Sequence, residues 1–317
     1  MARPHVTRAR ARARIAARLR RLTGADQQDA RLDALQRSID ALEQRVVVGV
    51  HDAIDRVEQR VVDGVQQAAD GDLALAQRIE RGEDRAVLEY SRLETLELIS
   101  ATTASITALG PSATLVSVVM PTRNRAAMLL EAVASIRAQT HAQWELLVVD
   151  DCSDDDTPVV MEELAAREPR IRLLRTRENV GPGSARNLAL DEARGRLVAY
   201  LDDDNLMSPH WLRAVAWAFD GHPGADVLYG ARLVERPDVL APEIVLSPWD
   251  RQRHELTCLI DQNVLAHRAG LPEARQREGI LGEDWEMGLR LTRHADPLVV
   301  PVVAAVYRTR HEERISK

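Results

Sequence analysis

Acidic residues in this chain gather in three short clusters, DDCSDDDT (Asp150 to Thr157), LDDDN (Leu201 to Asn205) and GED (Gly282 to Asp284). Asp202, Asp203 and Asp204 directly follow the apolar run LVAYL. Three adjacent carboxylates repel one another unless cations compensate them, and hard divalent cations take oxygen ligands, often one or two carboxylates plus substrate phosphates. Metal-diphosphate binding therefore reads ahead of a merely solvated turn. The first cluster also has an ordinary use, because Ser153 or Asp154 can cap the helix that follows. Glu283 and Asp284 open an apolar-periodic helix (Trp285, Met287, Leu289, Leu291), where one of them could serve only as a favourable charge at a helix N-terminus.

The elements that must position these carboxylates alternate from Val116 onward: VSVVM, AMLLEAVASIRAQ, ELLVVD, VVMEELAAR, IRLLR, SARNLALDEA and RLVAYLD. Short β-branched runs separated by helical stretches predict βαβ units and a mostly parallel sheet with helices on both faces. Ligands bind beyond the carboxyl ends of such strands, where strand order reverses, and the acidic segments stand at predicted strand ends.

Before that domain the pattern differs. Leu32, Leu35, Ile39, Leu42, Val46, Val50, Ile54, Val57, Val61, Val65 and Ala68 recur at steps of three or four, one stripe of a long helix. ALEQRVVVGVHDAID (Ala41 to Asp55) is echoed by RVEQRVVDGVQQAAD (Arg56 to Asp70). Gly49 and Gly64 each cost a helix interior about 1 kcal/mol, so the stripe is expected to pack on a partner copy, with packing on the α/β domain as the alternative. The Thr/Ser-rich stretch Ile99 to Leu115, ending in Gly110 and Pro111, reads as the boundary. The expected organisation is a basic arm at 1–22, a helical, coiled-coil-like region at 23–110 and an α/β domain at 113–317.

Composition excludes some classes. Hydrophobic residues make up 45% of 317 positions, enough for a real core, and a formal net charge of -7 gives no global drive toward nucleic acid or anionic membrane. Cys152 and Cys258 are the only cysteines and lack paired spacing, which argues against a disulfide framework or zinc site and fits a cytoplasmic setting. The arginine-rich start lacks the apolar core of a secretory signal, and runs such as Leu298 to Tyr307 fall short of the roughly 20 residues that span a bilayer.

Five segments in this order resemble those of the GT-A fold glycosyltransferases, specifically the inverting family 2: SVVMPTRNR, VVDDCSDDDT, NVGPGSARNLAL, YLDDDNLMSPHWL and GEDWEMGLRL. The resemblance covers residues 115 to 310. It implies sugar transfer from a nucleotide-diphosphate sugar, with UDP-sugars as the first guess, in cell-surface polysaccharide biosynthesis. By that resemblance Asp204 is the ligand of a divalent cation (Mn²⁺ or Mg²⁺), and Asp202 or Asp203 contacts the ribose or donor sugar. Asp151 hydrogen-bonds the base, and Pro121, Thr122, Arg123 and Asn124 line the nucleoside. Arg186, one turn inside the glycine-led helix start Gly181 to Gly183, is expected to meet phosphate or carboxylate, with a surface salt bridge as its bland reading. Inverting transfer needs a carboxylate opposite the leaving diphosphate, and Asp284 is the expected base, with Glu283 beside it. Trp285 is either a core aromatic or an acceptor platform. The resemblance also places Asp261, Asn263 and His267 near the acceptor or metal. Where the family often has YRxH this chain reads YRTRH, so Arg310 replaces a third metal ligand and could clamp the diphosphate.

Two rival functions follow from the same residues. A sugar-phosphate nucleotidyltransferase shares the sheet type but has a glycine-rich, Arg-containing loop where this chain has PTRNR; a scaffold assembled through the N-terminal helices would only bind. The acceptor is expected to be a carbohydrate or a lipid-linked glycan, and no nucleic-acid partner is expected. Eight arginines between Arg3 and Arg21, with Ile15, Leu19 and Leu22 on one side, have the pattern of a basic amphipathic helix, which points to peripheral contact with an anionic membrane.

Overall fold

A computed structural model describes residues 83–235, 242–277, 280 and 282–308. The basic arm at 1–22, the apolar stripe at 32–68 and Arg310 lie outside the described residues.

The described chain opens on helix α1 (Glu83–Ala108). The stretch expected to begin the boundary at Ile99 is thus helical through Ala108. Ile99 and Ile106, seven residues apart and so on one helical face, are both buried. Ile99 joins Leu206, Ala231, Leu233, Val303 and Val306 in an apolar cluster beneath the far end of the sheet. Arg213 closes the helix from outside, its Nε donating to Ile106 O at 3.0 Å and its Nη2 to Leu109 O. Free C-terminal carbonyls are what a guanidinium satisfies there. The chain then leaves through Gly110 and Pro111.

The alternating segments fold as their periodicity predicts: β1 (Val116–Thr122), α2 (Ala126–Arg137), β2 (Trp144–Asp150), α3 (Thr157–Arg167), β3 (Ile171–Arg175), α4 (Gly181–Glu192) and β4 (Leu197–Tyr200). Then come β5 (Leu206–Met207), α5 (Trp211–Gly221), β6 (Val227–Glu235), β7 (Glu243–Val245), α6 (Arg251–Leu256), β8 (Leu265–Arg268), α7 (Glu283–Leu291) and β9 (Leu298–Arg308). The strands form one sheet in the order β3-β2-β1-β4-β8-β6-β9-β5, with β7 on β6. β1, β2 and β4 are buried along their whole lengths, which explains their near-continuous apolar runs.

The sheet is mixed, as the GT-A resemblance implies, though less of it is parallel than the strand–helix alternation predicts. β3, β2, β1 and β4 run together, but β8 lies between β4 and β6 and runs opposite to both. Only the β6–β9 pair restores parallel pairing beyond β4. The mixture arises because β8 enters from the short 3-10 turn Gln262–Val264 rather than through a crossover helix. Strand order steps from β1 out to β3 and then returns to set β4 on the other side of β1. That reversal makes the carboxyl ends of β1 and β4 the natural ligand crevice.

Candidate active site

The turn after β4 carries the three adjacent aspartates, and two arginines supply the countercharge that the sequence required. Asp203 is buried, accepting from Thr122 Oγ1 at 2.6 Å and from Arg125 Nη1 at 2.8 Å. The same Arg125 nitrogen donates to Asp204 Oδ2 at 2.9 Å. Burial pushes Asp203 up to about 6 in spite of Arg125 and Thr122. On the other side Asp202 Oδ1 takes Arg186 Nη2 at 2.7 Å and Oδ2 takes Asn263 Nδ2 at 2.9 Å. Burial works against the Asp202 charge, but Arg186 and Asn263 outweigh it and hold the carboxyl below its ordinary range. Arg125 is the functional residue that sequence reasoning missed. The signal existed: three carboxylates demand cations, and Arg125 closes the facing strand end.

Arg186 joins two motifs that stand far apart in the chain. Its Nη2 holds Asp202, while Nη1 reaches Glu283 Oε1 at 3.0 Å and Gln276 Oε1 at 3.2 Å. Its side chain is only 8% exposed, so it is neither the surface salt bridge nor a free phosphate ligand in this arrangement. Burial opposes its charge, and Asp202 and Glu283 more than compensate, raising its pKa. Glu283 moves the opposite way from a well-paired carboxylate: burial lifts it above its ordinary range, against Arg186. Gly183 makes the approach possible, since a Cβ there would stand 2.4 Å from Glu283 Oε2 and 2.9 Å from Gln276 Oε1.

Asp284, next along α7, is held differently. Among the described residues its carboxylate accepts only the amide of Trp285, at 2.9 Å. Its charge helps raise Asp261, which burial, foremost, pushes up to about 6. Asp261 accepts from Asn263 N at 2.9 Å and from the Tyr307 hydroxyl, and Asn263 Nδ2 reaches Tyr307 at 2.9 Å. Asp261 and Asn263 therefore do lie beside the Asp202 turn. His267 does not act there. Its ring nitrogens are engaged by Tyr200 OH at 2.8 Å and Arg268 O at 2.7 Å, and complete burial lowers its pKa to about 4, so it is a neutral core histidine. Trp285 is half-buried and anchored to α6 by its Nε1–H donating to His254 O at 2.7 Å.

The β2 corner is tied inward. Asp151 Oδ1 accepts from Thr176 Oγ1 at 2.9 Å and Val180 N at 2.8 Å, and Oδ2 from Gly181 N at 2.8 Å. With its amide turned to donate, Asn179 adds a fourth bond to Oδ2 at 2.7 Å and accepts from Arg123 Nη1 at 2.6 Å. In this arrangement those four bonds fill the roughly four acceptor positions of the Asp151 carboxylate. The α4 N-terminus accordingly binds the protein's own carboxylate rather than an external anion. Asn124, in the left-handed region at φ 53°, donates its amide to Ser153 Oγ and accepts from Asp154 N, each at 2.9 Å. Ser153 and Asp154 are thus not the cap of α3. The N-cap is Asp156, which makes no side-chain cap bond, while Asp155 before it accepts from Thr157 N at 2.9 Å. Pro121 and Thr122 end β1 in register with Val149 and Asp150, which leaves Arg123 and Asn124 at the rim.

Arg308, at the end of β9, donates Nε to the Asp204 carbonyl at 3.2 Å and pairs with Glu131 of α2. It fixes the backbone of the acidic turn from below. Asp204 itself is 28% exposed, and Arg125 engages only its Oδ2, leaving Oδ1 without a hydrogen bond among the described residues. No three His, Cys, Asp or Glu converge as a metal group among the described residues. The donor set fits a cation held by one protein carboxylate and completed by phosphates and water, as Mg²⁺ is commonly bound.

Residues 117–265 match the family described as Glycosyl transferase family 2. Over that segment the match bears out the resemblance seen in the first four of the five motifs. The sugar-phosphate nucleotidyltransferase reading falls with it. Among curated relatives, the UDP-Glc:alpha-D-GlcNAc-diphosphoundecaprenol beta-1,3-glucosyltransferase WfgD of Escherichia coli is 41% identical over 92 residues, 29% of this chain and 36% of that protein. The chain spans between 13% and 36% of the length of the curated relatives it matches most strongly. Among solved structures, S. aureus TarS 1-349 in complex with UDP-GlcNAc has a TM-score of 0.56 at 22% identity, over 64% of this chain and 61% of that one. Mannosyltransferase PcManGT from Pyrobaculum calidifontis, in complex with GDP-Man and Mn2+, has a TM-score of 0.50 at 21% identity, over 71% of this chain and 68% of that one. Both share the mixed α/β sheet with flanking helices. No helix of the described residues is long and apolar enough to cross a membrane.

Proposed function

We propose that the chain transfers a sugar, with inversion, from a nucleotide-diphosphate sugar to an acceptor hydroxyl, with Asp284 as the base. The observation that carries this reading is the division of labour at the start of α7. Glu283 is paired with Arg186, whereas Asp284 has no ion-pair partner among the described residues and accepts only from the Trp285 amide. A base must hold an accessible lone pair toward the proton it removes, and of the two carboxylates Asp284 is the one not paired with a guanidinium. It would take the acceptor hydroxyl's proton as the new bond forms, on the sugar face opposite the leaving diphosphate. Glu283 then serves through Arg186, holding Asp202 toward the ribose or donor sugar. Asp204 would hold the divalent cation, whose chemistry is to neutralise charge on the departing diphosphate. The Mn2+ of PcManGT supports that assignment, and the UDP-sugars of TarS and WfgD support a UDP-sugar donor. WfgD's diphosphoundecaprenol acceptor makes a lipid-linked glycan the first acceptor class to try. Self-association through 32–68 and contact of 1–22 with an anionic membrane complete the proposal and rest on sequence pattern alone.

Donor hydrolysis tests the reading without knowledge of the acceptor. A transferase slowly releases free sugar and nucleoside diphosphate, whereas a binding scaffold releases neither. Asp284→Asn is expected to lower turnover by about 10²-fold or more while donor affinity stays within about two-fold, the scale of losing a general base. Weakened donor binding with normal turnover would place the base elsewhere.

A further inference from the structure

The acidic turn contains an internal cation at the carboxylate that an external one would use. Arg125 Nη1 lies 2.8 Å from Asp203 Oδ1 and 2.9 Å from Asp204 Oδ2. We propose that Arg125 is a positioning residue that withholds Asp204 from divalent cations until the donor's diphosphate arrives, so that metal binding by this chain is conditional on nucleotide. The inference rests on the proposed role of Asp204 and adds the order in which its ligands assemble.

Three observations lead there. First, the other carboxylates of the turn have no charge to spare. Asp202 is divided between Arg186 and Asn263, and Asp203 between Thr122 and Arg125, so an incoming cation depends on Asp204. Second, Arg125 neutralises part of that one remaining charge, and two cations sharing one carboxylate repel each other. Third, the guanidinium is poorly placed to retreat. Its side chain is 10% exposed, it is held by Asp203 as well, and its backbone amide donates to Thr157 Oγ1 at 3.0 Å. A diphosphate changes the balance, because it brings at least two negative charges and gives guanidinium and metal separate oxygens. Metal and nucleotide then enter together.

Titration of the full chain with Mn²⁺, followed by the loss of the free-ion EPR signal, tests this with Mn²⁺ alone and with Mn²⁺ plus UDP. Without nucleotide, Arg125→Gln is expected to bind Mn²⁺ at least ten-fold more tightly than the unmutated chain, and Asp204→Asn in that background to abolish the gain. A residue of purely structural importance would weaken binding when replaced, not strengthen it. Arg125→Lys, which keeps a charge at this place, is expected to stay near the unmutated chain. The proposal is overturned if Arg125→Gln binds nucleotide-free Mn²⁺ no more tightly while Asp204→Asn still removes UDP-dependent binding. If the unmutated chain shows no UDP-dependent Mn²⁺ binding that Asp204→Asn removes, the Asp204 assignment itself fails. Should Arg125→Gln not fold, the unmutated chain decides. Mn²⁺ affinity in saturating UDP must exceed both the UDP-free value and the affinity of Mn²⁺ for UDP in buffer by at least ten-fold, and equality with either overturns the proposal.

Discussion

The carboxyl ends of β2 and β4 carry the same residue type in similar density and use it in opposite ways. At the end of β2, Asp151 is saturated by two loop amides, a threonine hydroxyl and an asparagine. Its neighbours serve the fold too: Asp150 Oδ1 accepts Ser153 N, and Asp155 Oδ1 accepts Thr157 N. At the end of β4 the partners are guanidinium groups, and they leave an oxygen of Asp204 over. An aspartate filled by backbone donors shapes a loop; an aspartate that its guanidinium partner engages through one oxygen keeps the other for a further ligand. Acidic density alone does not separate these two uses, and the donors that surround each carboxylate do.

The largest effect that could break this contrast lies at Arg186, where the β4 turn meets α7. Arg186→Met preserves length and removes the charge, leaving Asp202 and Glu283 without their shared partner. Removing one member of a buried ion pair costs about 3–5 kcal/mol. With side chains 31% and 26% exposed, the two carboxylates keep some water, so the lower end of that range is expected in urea unfolding. A loss below about 1 kcal/mol would mean that the arginine is replaceable by solvent and that the two motifs are not mechanically joined.

A matched pair of substitutions sharpens the contrast itself. Asp151→Asn replaces one of the two acceptor oxygens by an amide nitrogen, so either Val180 N on Oδ1 or Gly181 N on Oδ2 loses its acceptor, and an unsatisfied buried donor costs about 1–3 kcal/mol. Asp204→Asn removes a charge beside Asp203 and leaves no donor unsatisfied except a bond from Arg125 that Asp203 also accepts. Differential scanning calorimetry is therefore expected to show a clear fall in Tm for Asp151→Asn and little change for Asp204→Asn. Equal falls would erase the distinction between a loop-shaping and a ligand-facing aspartate.

Much of this was legible in the sequence, for identifiable reasons. Periodicity found α2 through β4 because β2 and β4 are buried along their whole lengths and the helices on one face, so hydrophobic pattern reports directly on burial. It missed the parallel-to-antiparallel change at β8, because direction is not encoded in a four-residue strand's composition. The Thr/Ser-rich stretch near Ile99 looked like a linker, yet α1 continues through it with Ser105 and Thr107 hydroxyls bonding back to carbonyls four residues earlier. In the site, motif spacing singled out the turn after β4 and the start of α7, which Arg186 links. It could not assign Asp151 to the loop, since the saturating donors come from Thr176 to Gly181 in another motif. Nor could it find Gln276, which meets Arg186 from 90 residues away in an irregular segment. Tyr307 stood in plain view within YRTRH, but its bond to Asp261 follows only from how β9 pairs with β6.

The smallest expected effect concerns Asp261, beside the β4 turn but outside the strand-end clusters. Burial raises its pKa to about 6 from an ordinary 3.8, with the charges of Asp202 and Asp284 adding to the rise. The folded state therefore binds this proton more tightly than the unfolded chain does. Its contribution to stability is present below about pH 4 and is lost as pH rises from about 4 to about 6, where folding must carry a charge it disfavours. Asp202 and Glu145 have depressed values and act with the opposite sign, so the whole protein's pH profile mixes both. Asp261→Asn isolates the group, because its amide oxygen still accepts from Asn263 N and Tyr307 OH while no proton is exchanged. The difference in Tm between Asp261→Asn and the unmutated chain should grow in favour of the variant across about pH 4 to 6 and then level, reaching a few degrees at most. A difference that stays flat with pH would show that Asp261 titrates like an exposed carboxylate. The Tyr307–Asn263–Asp261 bonds would then be too loosely held to brace the Asp202 turn.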